Sequence, residues 1–483
     1  RFVHDVEKVL WFKRWYYTKN TKKTINMSLQ SFLPFTRSGL IFYITQALFF
    51  VFCGIVIATM PTHLPYSAGA DASTWIEPAK SLLLHKDYVM FGHPEYDYLY
   101  RPPIVPVFNA FFLWLGGEYG IKTIVMAQIV LVSATSFLIA EVADKIQKGA
   151  GWVAMILFLA NPNTLSTAFL IQSETVFVFF LTFSAYALLR YADTCRWRDI
   201  IISSSMLAIA TLARPTTQYL IVFFPFACWL LLIFVHRHTA LTSQKIFQIS
   251  IASVLAVLLL VPWAIKLAQT EGRLTLTTAE IRSVYIHDQL VTLESYRKGI
   301  SINESSKTVA ENKTLTQTPI CSSLEYNSSV RASCFKETEK RYIRQLFGYP
   351  IQEYAKPIAK SFANFFFSGS SGNWHNLLET NNQSKLVSVA SNVSNQQSVT
   401  MIKEIQGNFG FWSITITLLC LLFSLLLKLM SLVGVYELFK RKQLPVLSVC
   451  LALITYFFVT TLLLGQSRYR VPVEPYFSVL ATF

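Results

Sequence analysis

Charge is scarce in this sequence. Aspartate, glutamate, lysine and arginine make up 14% of the 483 residues, against roughly a quarter in an ordinary soluble chain. That shortage excludes a conventional soluble globular fold. Hydrophobic residues reach 53% and fill recurring runs long enough to cross about 30 Å of hydrocarbon. The chain therefore reads as an all-α polytopic membrane protein. Cysteine is sparse too, at seven. Cys53, Cys228, Cys420 and Cys450 fall inside apolar runs, where a thiol packs as a small hydrophobe, and Cys195 sits in a short basic loop. Only Cys321 and Cys334 share the long polar stretch, where a bridge would imply an oxidising compartment. Spacing alone leaves that pairing open. A cleavable signal peptide is also missing, because the first apolar run lacks a small-residue cleavage site and is long enough to span.

Acidic residues are fewer than basic ones, which gives a formal charge of +15. The positives form no contiguous patch, so no nucleic-acid partner is expected. They sit in short loops between apolar runs, which is the topology signal of a membrane protein. Residues 1–38 form a basic segment with Lys8, Lys13, Arg14, Lys19, Lys22, Lys23 and Arg37, expected on the cytoplasmic side. The chain opens on Arg1 and stops within an apolar run, so both ends read as cut, with Met27 a candidate start.

The first span is expected over about 39–60, followed by an outer loop at 61–117. That loop holds two helical pieces, Ala72 to Leu84 and another beginning after Pro102-Pro103 and running to about Leu115. The second is apolar but short, so it is read as lying along the interface. Spans then follow at about 121–140, 152–169, 175–189, 200–212, 218–235 and 246–267. A long polar segment, 268–408, falls outside, and 409–483 returns to the membrane with spans at about 411–435 and 445–464 and a last one from 471. This threading puts the loops containing Lys145 and Lys148, Arg190, Arg196 and Arg198, His236 to Lys245, and Lys440 to Lys442 on the cytoplasmic side. Reading the helix after Pro103 as a span would invert every later loop.

Asn303, Asn312, Asn327, Asn382 and Asn392 stand in glycosylation sequons within the outer segment, a pattern that polar loops also produce by chance. Parts of that segment, about 301–318 and 381–400, are polar enough to be flexible, and the rest is expected to form a small capping domain. His93, Glu95 and Asp97 could bind a cation, but acidic residues in a polar loop are more often simply solvated. No metal or cofactor is expected.

Several ionisable residues fall at the outer ends of spans on this threading: Asp71, Arg101, Glu174, Arg214, Arg468 and Arg470, with Tyr469 between the last two. Charges at such depths are costly and are functional candidates by default. The types fit one chemistry. A carboxylate can take the proton of an attacking hydroxyl, and arginines offer fixed, bidentate donors to a departing phosphate.

Asp71-Ala72 with Trp75 and Ala79-Lys80-Ser81-Leu82, followed by Arg101-Pro102-Pro103-Ile104-Val105-Pro106, resembles the first outer loop of the dolichyl-phosphate-mannose–protein mannosyltransferase superfamily. It looks most like the bacterial branch that includes the lipid A aminoarabinose transferase. Asn161-Pro162 leading to Ser173-Glu174, Ala213-Arg214-Pro215, and Arg468-Tyr469-Arg470 with Pro472 and Pro475 extend the likeness in order along the chain. The resemblance implies a GT-C-type helix bundle with amphipathic outer-loop helices, here with a long extracytoplasmic insertion. It implies Asp71 as the base or acceptor-orienting carboxylate and Glu174 as a second acidic catalytic residue. Arg214 with Arg468 or Arg470 would hold the carrier phosphate, with Arg101 and Tyr469 in the substrate-binding group.

The expected activity is transfer of a sugar from a polyprenyl-phosphate donor to an acceptor hydroxyl on a protein, lipid or glycan, within a bacterial inner membrane and facing the periplasm or exterior. Two alternatives stay open. One is a multi-pass transporter or flippase of a lipid-linked or anionic substrate. The other is an O-antigen-ligase-like enzyme relying on loop residues such as Arg331 or Arg341.

Overall fold

A computed structural model describes residues 37–63, 65, 71–236, 242–311, 321, 323–325, 328–369, 371–378, 411–464 and 467–483. Most of the basic N-terminal segment, Arg237 and His238, the sequons at Asn312, Asn327, Asn382 and Asn392, and the polar stretches 312–318 and 381–400 lie outside those residues. By its internal contacts the chain divides into Arg1–Val51 and Phe52–Phe483. The described part of the first is the beginning of helix α1 (Arg37–Thr59), whose Leu40, Leu48 and Val51 are all more than half exposed. An all-round apolar helix with so much exposed hydrocarbon belongs in lipid.

The second unit is almost entirely helical. Among the described residues, six helical stretches are long and apolar enough to cross a membrane, beginning with α1. The first outer loop supplies α2 (Ala72–His85), a hairpin of β1 (Val89–Met90) and β2 (His93–Asp97), and α3 (Ile104–Gly116). Gly92 takes a φ of +83° at the hairpin turn, a conformation that only glycine adopts freely. Tyr88 and Tyr98 flank the hairpin and pack edge-on with each other, and Tyr88 also meets Trp263.

The apolar stretch from Ile104 to Ile146 is not one rod. It reverses at Gly117, whose φ is +51°, and continues as α4 (Gly120–Ile146). A Cβ at Gly120 would come within 3.0 Å of the Leu113 backbone, so glycine permits the tight turn. At 13 residues α3 is about 20 Å long, short of a crossing. It buries Val105, Asn109 and Ala110 while exposing Val107, Phe111 and Trp114, and Asn109 donates to the Trp75 carbonyl of α2 at 3.3 Å.

The stretch expected as one span over 152–169 is two short helices, α5 (Gly151–Leu159) and α6 (Pro162–Ala168). The break has a local cause. Asn161 accepts from the backbone N–H groups of Asn163 and Thr164, and Pro162 takes the first helical position, so a new helix must start there. Helix α7 (Glu174–Thr194) is the central strut, with most of its residues buried. It pairs with α8 (Trp197–Ala213) through reciprocal bonds between Ser184 and Ser203, at 2.8 and 2.9 Å. Small hydroxylated residues let two backbones approach closely in a lipid setting. Helices α9 (Gln218–His236) and α10 (Ser243–Glu271) are mostly exposed along their apolar lengths.

The outer segment is helical where described: α11 (Ala279–Lys298), α12 (Ile302–Glu311), α13 (Ser329–Leu346), α14 (Ala355–Phe367) and α15 (Ser371–Leu378). Leu290, Leu293, Tyr342 and Leu346 form its core. Cys321 and Cys334 form a disulfide, with Cα atoms 5.6 Å apart, beside Phe335. The chain then returns through α16 (Phe411–Lys440), α17 (Leu444–Thr460), the single turn α18 (Ser467–Arg470) and α19 (Glu474–Leu480).

The two ends of α7 differ in kind. At its C-terminal end Lys145 pairs with Asp193 at 3.2 Å and Arg190 with Asp199 at 3.7 Å, and Arg441 donates to Gln147 at 2.6 Å. The loops after α4, α7 and α16 therefore gather there. Its N-terminal end is Glu174, about 30 Å away along 21 residues.

Candidate active site

Four helix ends converge on Glu174. The carboxylate opens α7 and is 0% exposed. Arg214 follows the last residue of α8, where an extended backbone and the start of Pro215 turn its side chain back toward α7. Its Nη1 donates to Glu174 Oε1 at 2.9 Å. Arg468, in the turn α18, donates from Nε to the same oxygen at 2.5 Å. The other arm of that guanidinium, Nη2, lies 2.7 Å from Asp71 Oδ2. Arg468 is thus one planar fork spanning two carboxylates, which a lysine could not do.

Asp71 sits immediately before α2. Its side chain makes no capping bond to that helix and is 34% exposed, so it remains open to solvent while paired. Arg101 approaches from the Pro102-Pro103 turn, with Nη2 3.9 Å from Asp71 Oδ1. Trp75 and Tyr100 hold it by stacking, 4.7 and 4.9 Å from their ring centroids, and Thr74 accepts from its Nε at 3.1 Å. A cation over two aromatic faces is oriented without being neutralised. Tyr469 completes the group, its ring 5.7 Å from the Arg214 guanidinium.

Burial alone would lower the pKa of Arg468, but Glu174 and Asp71 outweigh it and hold the guanidinium above the ordinary arginine range. Burial pushes the Tyr469 phenol up, against the pull of Arg214 and Arg468. The cluster therefore contains three arginines and two carboxylates, a surplus of one positive charge.

Asp71, Arg101, Glu174, Arg214, Arg468 and Tyr469 come together as one connected group. Arg470 does not join it. That side chain is 1% exposed and turns the other way, onto Glu474 at 2.5 Å and the carbonyls of Phe365 and Ser368 at 2.5 and 2.9 Å. Two positions along a helical turn are about 200° apart, so neighbouring arginines at this spacing must diverge. Arg331 pairs with Glu280 at 3.1 Å, and Arg341 with Glu337 at 3.8 Å. His93 and Glu95 contact each other at 3.2 Å on an exposed part of the hairpin.

Thr74, as the acceptor for Arg101, and the buried set of Asn161, Asn163, Lys428 and Glu474 were not singled out as functional residues by sequence reasoning. A signal existed for the last two. A lysine deep inside a 30-residue apolar helix and a glutamate at the start of another are costly in lipid unless paired.

No curated protein matches the chain in a sequence comparison. A family model does: residues 100–265, from the Arg101 turn into α10, match the model for dolichyl-phosphate-mannose-protein mannosyltransferase. That stretch includes three members of the cluster, Arg101, Glu174 and Arg214. Over residues 100–265, then, this multi-pass chain is similar to the dolichyl-phosphate-mannose-protein mannosyltransferase family, of the GT-C superfamily.

Proposed function

We propose that the protein transfers a sugar from a polyprenyl-phosphate carrier to an acceptor hydroxyl, with Asp71 as the base and Arg101, Arg214 and Arg468 as the phosphate-binding group. One observation carries this reading: three guanidiniums stand against two carboxylates at one end of the bundle. A carrier phosphodiester brings one negative charge, which balances the surplus. Arginines organised beforehand around that charge lose little to reorganisation as the phosphate leaves.

The steps follow from the exposure of each group. Asp71 is reachable, so the acceptor hydroxyl hydrogen-bonds to it. The hydroxyl oxygen bonds to the anomeric carbon, the bond from that carbon to the phosphate oxygen breaks, and the phosphate departs with the electron pair. The hydroxyl proton passes to Asp71. Glu174 is enclosed beneath two guanidiniums, which suits orienting Arg214 and Arg468 rather than moving a proton. Tyr469 flanks the phosphate group through Arg214.

The residues divide into a catalytic membrane module at 39–267, an extracytoplasmic segment at 268–408 and C-terminal membrane helices at 409–483. The site faces the periplasm or exterior of a bacterial inner membrane. The Cys321–Cys334 disulfide supports an oxidising side for the outer segment. The basic loops at the far end of α7 support a cytoplasmic side there.

The test is direct. Purified protein in a bilayer is given a polyprenyl-phosphate sugar and candidate acceptors, and sugar transfer is followed. Asp71→Asn should lower turnover by a factor on the order of 10² to 10⁴ while still binding the donor. Undiminished turnover in that variant would sink the assignment.

A further inference from the structure

Two residues beyond Arg468 lies a second group of charges that the transfer reading leaves unused. Glu474 is 0% exposed and accepts four hydrogen bonds. Asn161 Nδ2 and Lys428 Nζ donate to its Oε2 at 3.0 and 2.9 Å, and Asn163 Nδ2 and Arg470 Nε to its Oε1 at 3.1 and 2.5 Å. Arg470 also holds the last turn of α14 through Phe365 and the carbonyl of Ser368 just beyond it. Asn163 Nδ2 reaches the Ser467 carbonyl at 2.9 Å. The start of α6, the middle of α16 and the turn from Ser467 to Glu474 meet at one carboxylate, and the end of α14 joins them through Arg470.

The space enclosed by Asn163, Ser424, Lys428, Arg470 and Glu474 is too tight to admit a water molecule, so the group is not built as a small-ligand site. Its geometry has another consequence. Asn163 fixes one end of the four-residue turn α18 and Glu474, through Arg470, fixes the other. Arg468 stands between these two anchors. Burying one carboxylate with two cations is costly, and a well-packed apolar replacement could be at least as stable. Stability alone therefore does not account for the group.

We propose that Glu474 and Asn163 are positioning residues for Arg468: by clamping both ends of its turn, they place the guanidinium that joins Asp71 to Glu174. The effect on rate rests on the transferase reading, whereas the effect on the Asp71–Arg468 contact does not. A shift of about 1 Å at a reacting group can lower a rate roughly a hundredfold, and an unclamped turn would leave the Arg468 guanidinium free to make such a shift.

Two measurements test this on the full chain in detergent or nanodiscs. Asn163→Leu removes both bonds from that side chain and leaves every charge in place. The first readout is a thermal cycle of Asp71→Asn, Arg468→Gln and the double variant, run with and without Asn163→Leu. The non-additivity of the melting temperatures should be clear in the native background and fall to experimental error in the Asn163→Leu background. A merely structural role would lower every melting temperature alike and leave the non-additivity intact, which would overturn the proposal. The second readout is transfer, where kcat should fall at least tenfold with the donor KM changed less than threefold; a folded variant within threefold of native kcat also overturns it. If Asn163→Leu does not fold, Glu474→Asp keeps the charge but draws the carboxylate back by one methylene, and it faces the same two readouts. Loss of the non-additivity in a chain whose native form transfers no sugar would sustain the positioning role and remove the transferase reading alone.

Discussion

Arg468 and Asp71 meet at 2.7 Å, from opposite ends of the chain, and the same guanidinium continues to Glu174 at 2.5 Å. A single side chain thus joins an open carboxylate to a closed one. Asp71 is 34% exposed and Glu174 is 0% exposed, so the two contacts differ in consequence. The outer one is partly screened by solvent and is the weaker of the two, a coupling on the order of 1 kcal/mol. The inner one compensates a charge removed from water.

Arg468→Lys and Arg468→Gln should therefore fail in different ways. Lysine keeps the charge but offers one point donor, which cannot serve Asp71 and Glu174 together. The lysine variant should fold with a melting temperature close to native and lose roughly 10² to 10³ in kcat. Glutamine leaves Glu174 with Arg214 as its remaining guanidinium, and breaking a buried pair costs about 3–5 kcal/mol. That variant should melt markedly lower. Equal melting temperatures for the two would show that Glu174 does not depend on Arg468.

Much of this arrangement is legible in the sequence, for a physical reason. Asp71, Arg101, Glu174, Arg214 and Arg468 interrupt or border apolar runs, and lipid makes each of them expensive, so they stand out even without neighbours. The divergence of Arg470 follows from helical geometry alone, but it needs the knowledge that residues 467–470 form a helical turn. Two features escape hydropathy altogether. The break at Asn161-Pro162 is a capping event, invisible to an averaged window. Lys428 is the one cation in the interior of the 30-residue α16, whose other lysine, Lys440, ends the helix; it vanishes in the same average, and its partner Glu474 lies across a fold that spacing cannot supply.

The disulfide gives a prediction about sidedness as well as stability. Cys321 and Cys334 are 13 residues apart, and closing a loop of that size stabilises by about 3 kcal/mol in the chain-entropy account. Cys321→Ser with Cys334→Ser should lower the melting temperature of the purified protein. In sealed, right-side-out cells, mild reduction should open these thiols to a membrane-impermeant maleimide. A cysteine placed at Lys442 should label only after permeabilisation. The reverse labelling pattern would invert the proposed orientation.

Acid should loosen the outer segment through Glu294. Its carboxylate is 4% exposed and bonded to Arg297 Nη2 at 3.0 Å, Lys298 Nζ at 3.2 Å and the Tyr349 hydroxyl. Burial acts to raise its pKa, but the bonds from Tyr349, Arg297 and Lys298 outweigh it and leave the pKa below 4.5. A depressed folded-state pKa contributes stability that is fully present above the unfolded value and is lost as pH falls through the folded one. Melting temperatures measured downward from pH 7 should hold steady to about pH 4.5 and then fall. Glu294→Gln should start lower and flatten the acid limb. An unchanged acid limb in that variant would assign the loss to other carboxylates.

The contact that seats Glu474 gives the sharpest steric test. Helices α16 and α19 approach so closely at Gly434 that an added Cβ would lie 1.7 Å from the Leu480 carbonyl oxygen and 2.7 Å from its carbon. Those are backbone atoms and cannot rotate aside. Ser431 donates to the Phe477 carbonyl at 3.0 Å on the same seam, and Lys428 reaches Glu474 at 2.9 Å one turn earlier. Gly434→Ala must part the helices and strain all three contacts, at the upper end of the ~1–3 kcal/mol typical of overpacking or beyond it. At Gly54, inside α1, an added Cβ would meet nothing within 4 Å, and alanine there should be neutral or stabilising by up to about 1 kcal/mol. Comparing monodisperse yield and melting temperature for the two alanine variants isolates the steric effect from the shared gain in helix propensity. A Gly434→Ala protein that melts with the native one would mean that α19 does not sit against α16 as described, and Glu474 would lose its seat.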